Sequence, residues 1–241
     1  MAAMKKYLFL IFVFALAATD AVAQQNFLLK DASKNFDVKI RVAKCDFTDA
    51  SYKTCEGRAS VSLFKKNESR AFQTIEMPNL FLELGENKQP TANLIELYGE
   101  NNSGVIFDDF NFDGAEDLAL RNGNEGAYGG PSYDIYLFSK TGGGRFVKNA
   151  ALSKLASENL GLFTVDKKEK TLETFNKSGC CYHETTRYKI VNNRPVKVYV
   201  FIEDAMSVPD GKVKLTTEKL VGGKWRKTTK TALAKDYYKE Q

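Results

Sequence analysis

Oxygen-bearing side chains recur at alternate positions of one short stretch, residues 109–117, which reads DFNFDGAED. Calcium takes about six to eight oxygen ligands, and residues two apart in a tightly turning loop point inward together. Gly114, at the sixth position, permits the sharp turn that such a loop needs. The stretch therefore predicts a calcium site. Its expected ligands are Asp109, Asn111, Asp113, Ala115 through its carbonyl, and Asp117.

This stretch departs from the helix-loop-helix pattern of a calcium sensor. Its twelfth position is Leu120 rather than a bidentate Glu, and the apolar flanks 104–107 and 118–120 favour strands. We therefore expect a structural calcium site on a strand hairpin, where the ion neutralises crowded carboxylates. The alternative is an acidic turn that binds no ion.

Four cysteines offer a second kind of chemistry, and an even count in an exported chain indicates disulfides. Cys45 and Cys55 flank a turn-rich stretch between two strand-like runs, so a bridge closing that hairpin is expected first. Cys180 and Cys181 would then bridge to each other or stay reduced, although either could instead pair with the first two. A metal site built from cysteines is disfavoured, because no Cys-x-x-Cys spacing occurs and His183 is the only histidine.

Catalytic signatures are missing from the sequence. It has one histidine, no Gly-x-Ser-x-Gly elbow, no pair of metal-ligating histidines and no phosphate-binding loop. A pair of catalytic carboxylates would leave no spacing signature, but the acidic residues are mostly expected in solvent. The net charge of +5 is mild, and no basic block is interleaved with aromatic residues. We expect neither an enzyme nor a nucleic-acid partner.

The first 23 residues have the pattern of a secretory signal peptide. Two lysines precede an apolar run at 7–18, and Ala-Val-Ala follows, with cleavage expected after Ala23. The run is shorter than the roughly 20 residues of a membrane helix. We expect export to the periplasm, with an extracellular location as second choice and no membrane span after cleavage. Residues 24–241 are expected to form a single β-rich, calcium-binding domain.

Short apolar or alternating runs separated by turn residues predict strands along this domain. The runs lie at 36–42, 59–64, 72–77, 80–84, 94–98, 133–138, 161–165, 171–175, 188–191, 196–202 and 213–220. Only 150–159 has a helical pattern, with Ser153 and Lys154 on its polar side. Antiparallel hairpins with one short helix predict an all-β fold, which is β-propeller-like, a barrel or a sandwich.

The calcium stretch resembles the calcium loops of FG-GAP and integrin-type β-propeller repeats. A longer resemblance is to periplasmic proteins of Gram-negative bacteria that inhibit lysozyme-like toxins, including immunity partners of secreted peptidoglycan hydrolases. It is carried by the export signal before a β-rich body, by the continuation of the calcium stretch into YGGPSYDIY at 128–136, and by SGCCYH at 178–183. The resemblance implies binding and inhibition of a lysozyme-like or other cell-wall hydrolase.

Inhibitors of this kind insert a loop with small residues and a tyrosine into the catalytic cleft, and two segments here fit that description. The expected partner-binding residues are Tyr128, Ser132 and Tyr133 in the first, and Ser178, Gly179, Tyr182 and His183 in the second. The second resembles a Ser-Gly-x-Tyr inhibitory motif, with one extra residue before the tyrosine. We expect the calcium loop to orient the first segment, so that Tyr133→Ala spares stability. The alternative function is a calcium-stabilised envelope or adhesive module that binds glycan or protein without inhibiting an enzyme.

Overall fold

The computed structural model describes residues 24–49, 53–95 and 102–239. The expected signal peptide, residues 1–23, lies outside this part of the chain. Within the described ranges the chain forms fourteen strands in three antiparallel sheets, together with two short α-helices and two single 3₁₀ turns. None of the described helices has the length and apolar character of a membrane span.

Each sheet is a meander in which consecutive strands are neighbours. Sheet I contains β1 (Gln25–Leu29), β2 (Phe36–Asp46), β3 (Lys53–Lys65) and β4 (Gln73–Leu84). Sheet II contains β5 (Val105–Asp108), β6 (Asp117–Gly123), β7 (Ser132–Ser139) and β8 (Arg145–Lys148). Sheet III contains β9 (Thr164–Asp166), β10 (Thr171–Ser178), β11 (Tyr182–Val191), β12 (Arg194–Asp204), β13 (Lys212–Val221) and β14 (Lys224–Leu233). The helices are α1 (Ala150–Glu158) and α2 (Ala234–Tyr237), and the 3₁₀ turns are Ala127–Gly129 and Thr141–Gly143.

Sheet II lies between two hydrophobic cores, and its strands alternate between them. Leu118 and Leu120 face the core shared with sheet I, whereas Ala119 faces a second core formed with α1 and the first strands of sheet III. Burial on both faces explains why β5 and β6 are nearly continuous apolar runs in the sequence. The expected all-β fold of antiparallel hairpins is confirmed, with the sheets stacked as layers.

Helix α1 confirms the expected helix, and its start is well defined. The Asn149 side chain accepts a hydrogen bond from the amide of Leu152, as an N-cap should. Ser153, expected on the polar side, is instead buried, and its hydroxyl accepts a hydrogen bond from the amide of Ile135 in β7. The expectation for Ser153 was wrong because this serine satisfies the amide of Ile135, which lies opposite the chain just after β8 has ended.

Cys45 and Cys55 form a disulfide between directly opposite residues of β2 and β3, with their Cα atoms 3.9 Å apart. This confirms the pairing that was expected first. Cys180 and Cys181 form the second disulfide inside the turn between β10 and β11, so both bridges are local rather than links between distant parts of the chain. Two disulfides among the described residues are typical of an exported protein.

Candidate functional site

The predicted calcium loop joins β5 to β6 at the edge of sheet II. Its ends, Asp108 and Asp117, are opposite residues of one hairpin, so the expected strand flanks are confirmed. Phe110 anchors the loop because its ring is fully buried and lies 5.5 Å from the ring of Phe163 in the second core. Gly114 has a φ of 82°, the left-handed conformation for which glycine was expected.

Hydrogen bonds inside the loop hold its side-chain oxygens toward the backbone of the turn. Asp109 accepts from the amides of Asp113 at 3.0 Å and Gly114 at 2.9 Å. Asn111 also accepts from the amide of Asp113, and the carboxylate of Asp113 accepts from the amide of Ala115 at 2.8 Å. A carboxylate has about four lone-pair sites, so these bonds leave acceptor capacity for a cation.

Asp117 is the buried member of the set. One of its carboxylate oxygens accepts from the amide of Phe110 at 2.9 Å and the other from the amide of Phe138 at 2.8 Å. Burial raises the pKa of Asp117 to about 7, although these two hydrogen bonds oppose the shift, and the charges of Asp113 and Asp109 raise it further. A cation in the loop would favour the ionised form of this carboxylate.

The donor set fits calcium by its chemistry, since every expected ligand is an oxygen atom. Across the described residues, no three His, Cys, Asp or Glu side chains converge as a metal-holding group. Asp109, Asp113 and Asp117 all belong to that class, so their carboxylates are not gathered around one point in this structure. The assignment of calcium therefore stays a prediction.

The loop also touches the sheets on either side of it. Glu116 accepts hydrogen bonds from Ser33 at 2.8 Å and Asn35 at 2.6 Å, both in the connection between β1 and β2. On the other side, Asn111 donates to Asn193, in the turn between β11 and β12, at 3.1 Å. The role of Glu116 was missed in the sequence, where nothing marks a contact with a residue 83 positions away.

An open cleft of about 640 Å³ runs beside the loop. Acidic loop residues line one side of it, and Lys34, Lys167 and Lys170 contribute to the rest of its lining. The ammonium group of Lys167 lies 2.9 Å from the carboxylate of Asp108. The lysines around the cleft partly balance the acidic charge of the loop.

The two expected partner-binding segments meet through Tyr128 and Gly179. The Tyr128 side chain is 65% exposed, and its hydroxyl accepts a hydrogen bond from the Gly179 amide at 2.8 Å. The ammonium group of Lys177 lies 5.3 Å from the centre of the Tyr128 ring. Segments about 50 residues apart in sequence thus form one exposed surface, which we call the tip.

The turn between β10 and β11 supplies the other half of the tip. Ser178 and Tyr182 are opposite residues at the ends of the two strands, and the turn between them contains Gly179 and the Cys180–Cys181 disulfide. The carbonyl of Cys181 accepts from the amide of Ala205 at 2.8 Å, which fixes the turn to the end of β12. A disulfide between adjacent residues restricts the backbone of the turn that carries it.

Tyr182 and His183 begin β11 and are half-buried, on opposite faces of the strand. The hydroxyl of Tyr182 donates to Glu184 at 3.2 Å, and burial raises the pKa of Tyr182. The His183 ring lies 5.7 Å from that of Phe175, and its Nδ1 is 3.7 Å from a carboxylate oxygen of Glu203. Tyr182 and His183 therefore cannot present their side chains to one partner surface together.

Ser132 and Tyr133 are not in a projecting loop. Both are buried in β7, each with 1% of its surface exposed. The hydroxyl of Ser132 donates to the side chain of Asn122 at 2.6 Å, and that of Tyr133 donates to the carbonyl of Ser103 at 3.1 Å. Burial also raises the pKa of Tyr133. Their expected role as partner contacts was wrong, because β7 begins at Ser132 and turns Tyr133 into the second core.

No protein-family model matches the chain, and no curated protein matches it. Among solved structures, the chain is similar to one described as a Xanthomonas type IV secretion system related protein. The two are 25% identical and align with a TM-score of 0.64 over 86% of this chain and 98% of the other. The likeness therefore extends over nearly the whole of both folds.

Proposed function

We propose that this protein is an exported calcium-binding protein that binds and inhibits a lysozyme-like peptidoglycan hydrolase in the periplasm. The observation that carries the proposal is the hydrogen bond between the Gly179 amide and the Tyr128 hydroxyl. This hydrogen bond joins the two segments that the resemblance to hydrolase inhibitors predicts, each independently, to bind the partner. Together they form one exposed tip with a tyrosine, small residues and a rigid turn.

The tip has the chemistry to enter a glycosidase cleft. Such clefts hold two carboxyl groups that flank the scissile bond, and each can accept hydrogen bonds. The Tyr128 hydroxyl accepts from the Gly179 amide and so keeps its own proton to donate to such a carboxyl group, and the amides of Cys180 and Cys181 lie in the same turn. Because the disulfide, Tyr128 and the Ala205 amide already fix the turn, little conformational entropy remains to be lost on binding.

Calcium is proposed as a structural ion in the 109–117 loop. Asp109, Asn111, Asp113, Asp117 and the Ala115 carbonyl would hold it, and its charge would offset the repulsion among the carboxylates. The position of the loop supports this role, because its side chains contact the connections of both neighbouring sheets. The ion would stabilise the packing of the layers rather than take part in chemistry.

The cellular setting is proposed from two observations. The N-terminal sequence has the pattern of an export signal, and the similar structure is described as type IV secretion system related. A periplasmic protein associated with a secretion system would encounter hydrolases that are delivered into the cell envelope. An immunity protein that inhibits such a hydrolase would account for both the export signal and the similarity to a secretion-related structure.

The decisive experiment measures lysis of peptidoglycan by lysozyme-like hydrolases, including the product of any neighbouring gene, with and without the protein lacking residues 1–23. We expect saturable inhibition that Tyr128→Ala weakens. Phe47→Ala is the matched control, since Phe47 is an exposed aromatic residue near the other disulfide. Binding to purified glycan with no slowing of any hydrolase would instead favour the envelope-module alternative.

A further inference from the structure

The outer face of sheet III carries an ordered row of side chains that the proposed tip does not use. Glu173, Arg187, Tyr199, Lys219 and Arg226 are directly opposite one another on successive strands from β10 to β14. The Arg187 guanidinium lies 4.9 Å and the Lys219 ammonium 5.6 Å from the centre of the Tyr199 ring. The row thus places cations on both sides of one central aromatic ring.

The face that carries this row points away from the second core. Residues of the opposite parity on neighbouring strands, Thr174, Thr186 and Val200, are buried. At the end of the outer face near the start of β13, α2 packs against β13 and β14. Apart from β12 and α2, no other described element packs closely against β13 and β14.

Positive charge on the outer face of the β13–β14 hairpin is not compensated. Lys219, Lys224, Arg226 and Lys230 are exposed on this face, and no acidic residue of the two strands shares it. Within the described part of the chain, none of the four forms an ion pair. Four cations held in fixed register on two strands create a local positive potential.

The opposite face of the same hairpin differs, because two of its three lysines have acidic partners and only Lys212 has none among the described residues. Lys227 lies 3.0 Å from Glu218, and Lys214 lies 3.9 Å from Asp204. Cations are therefore mostly paired on one face of the hairpin and all unpaired on the other. The asymmetry within one hairpin points to an external anionic partner for the outer face.

Two aromatic side chains supply the apolar part of a protein interface. Tyr199 and Phe201 are adjacent outer-face residues of β12, and both are half-buried. Protein interfaces are enriched in aromatic residues and arginine at their centres, with charged groups at the rim. Phe201 and Tyr199 with Arg187 match such a centre, and the four hairpin cations match its rim.

We propose that the basic face of sheet III, defined by Tyr199, Phe201, Lys219, Lys224, Arg226 and Lys230, docks an acidic surface of a protein partner. A folded protein suits the face better than a nucleic acid, because Arg187 and Lys219 already contact the Tyr199 ring that a base would stack on. Charge complementarity would steer the partner to this face and raise its association rate. The surface is separate from the tip, so this proposal does not depend on hydrolase inhibition.

The test uses the protein lacking residues 1–23 and a fluorescein-labelled poly-glutamate peptide, with anisotropy as readout. Lys219→Glu with Arg226→Glu should weaken binding about tenfold or more, and added salt should weaken binding to the unchanged protein. Lys39→Glu with Arg41→Glu is the control, because it makes the same charge change on exposed positions of β2. This control should bind nearly as well as the unchanged protein.

Equal weakening by both double variants would overturn the proposal, since only overall charge would then matter. So would binding of anionic vesicles or single-stranded oligonucleotide through Lys219 and Arg226 without binding of the acidic peptide. Thermal melting identifies any variant that fails to fold. In that case Lys219→Gln with Arg226→Gln replaces it, and unchanged affinity in that variant would equally reject the docking surface.

Discussion

Tyr128 and Tyr133 lie five positions apart and have opposite environments, although the sequence suggested one role for both. Tyr128 is 65% exposed and contacts the tip, whereas Tyr133 is 1% exposed and contacts Ser103. The signal that separates them is the alternation of Tyr133 with Ile135 and Leu137, which share a strand face in the second core. The preceding Gly-Gly-Pro sequence is typical of a loop, so the start of β7 at Ser132 was not predicted.

Tyr128→Phe tests the tip at the level of one atom. The change keeps the ring and its contact with Lys177 but removes the acceptor for the Gly179 amide. Water can replace that acceptor at an exposed site, so the free energy of unfolding should change by less than about 0.5 kcal/mol. Inhibition should weaken about five- to tenfold, the worth of one net hydrogen bond. Unchanged inhibition constants would contradict the positioning role of the hydroxyl.

Tyr133→Ala should now reduce stability, contrary to the expectation from the sequence. Removing a fully buried aromatic side chain costs about 3–5 kcal/mol in the free energy of unfolding, measured by urea denaturation. Tyr133→Phe isolates the hydroxyl and should cost about 1–2 kcal/mol, because the Ser103 carbonyl loses its donor. Inhibition by the molecules that remain folded should be unaffected. A stable Tyr133→Ala variant would show that the residue is not in the core.

Asp117 predicts how stability changes with pH when a chelator is present. Its pKa is raised to about 7 in the folded protein and is near 4 in the unfolded chain, so the folded form binds more protons between those values. The free energy of unfolding should therefore fall as pH rises from about 4 to about 7. Asp117→Asn cannot ionise, so it should lack this slope, and it should be less stable near pH 4 because its NH2 group would face the amide of Phe110 or Phe138. A melting series showing the same slope in both proteins would exclude Asp117 as its source.

At the scale of elements, turns were the most predictable features and the last strand the least. Asn192 and Asn193 both have positive φ in a two-residue hairpin turn, as do Gly222 and Gly223, matching their turn chemistry. By contrast, β14 was missed because it is exposed on both faces and shows no apolar alternation. Its existence depends on pairing with β13, which local sequence does not encode.

The candidate strand at 94–98 was another difficult element, and β1 and β8 were not predicted at all. Residues 94 and 95 are not in a strand, and the rest of that segment lies outside the described residues. The runs at 72–77 and 80–84, expected as two strands, form the single strand β4. Pro78 lies between the two runs, and β4 accommodates it because β4 is the last strand of its sheet, where a missing amide donor is tolerated.

The two disulfides should have different effects when removed. Cys45–Cys55 closes a hairpin across β2 and β3, so Cys45→Ala with Cys55→Ala should cost about 2–3 kcal/mol in the free energy of unfolding. Cys180–Cys181 joins neighbouring residues and restricts almost no chain entropy in the unfolded state. Cys180→Ser with Cys181→Ser should therefore leave stability within about 1 kcal/mol and weaken inhibition through the loosened turn. If removing Cys45–Cys55 weakens inhibition and removing Cys180–Cys181 does not, the proposal for the tip is wrong.

For the whole molecule, the 109–117 loop is the place where all three sheets meet. It connects two strands of sheet II, holds the β1–β2 connection through Glu116, and reaches the β11–β12 turn through Asn111. The sequence predicted the loop from local spacing alone. It could not predict these contacts, because they join residues about 80 positions apart that only the assembled layers bring together.

Glu116 and Asp113 allow the packing role of the loop to be separated from its proposed metal. Glu116→Ala removes the acceptor for Ser33 and Asn35, and it should lower the free energy of unfolding by about 1–3 kcal/mol while leaving calcium affinity unchanged. Asp113→Ala removes an expected ligand, so calcium affinity, stability and hydrolase binding should fall together. Isothermal titration gives the affinities, and melting with and without chelator gives the stabilities. If chelation leaves the melting temperature of the unchanged protein unaltered, the loop stabilises the three sheets through its hydrogen bonds alone.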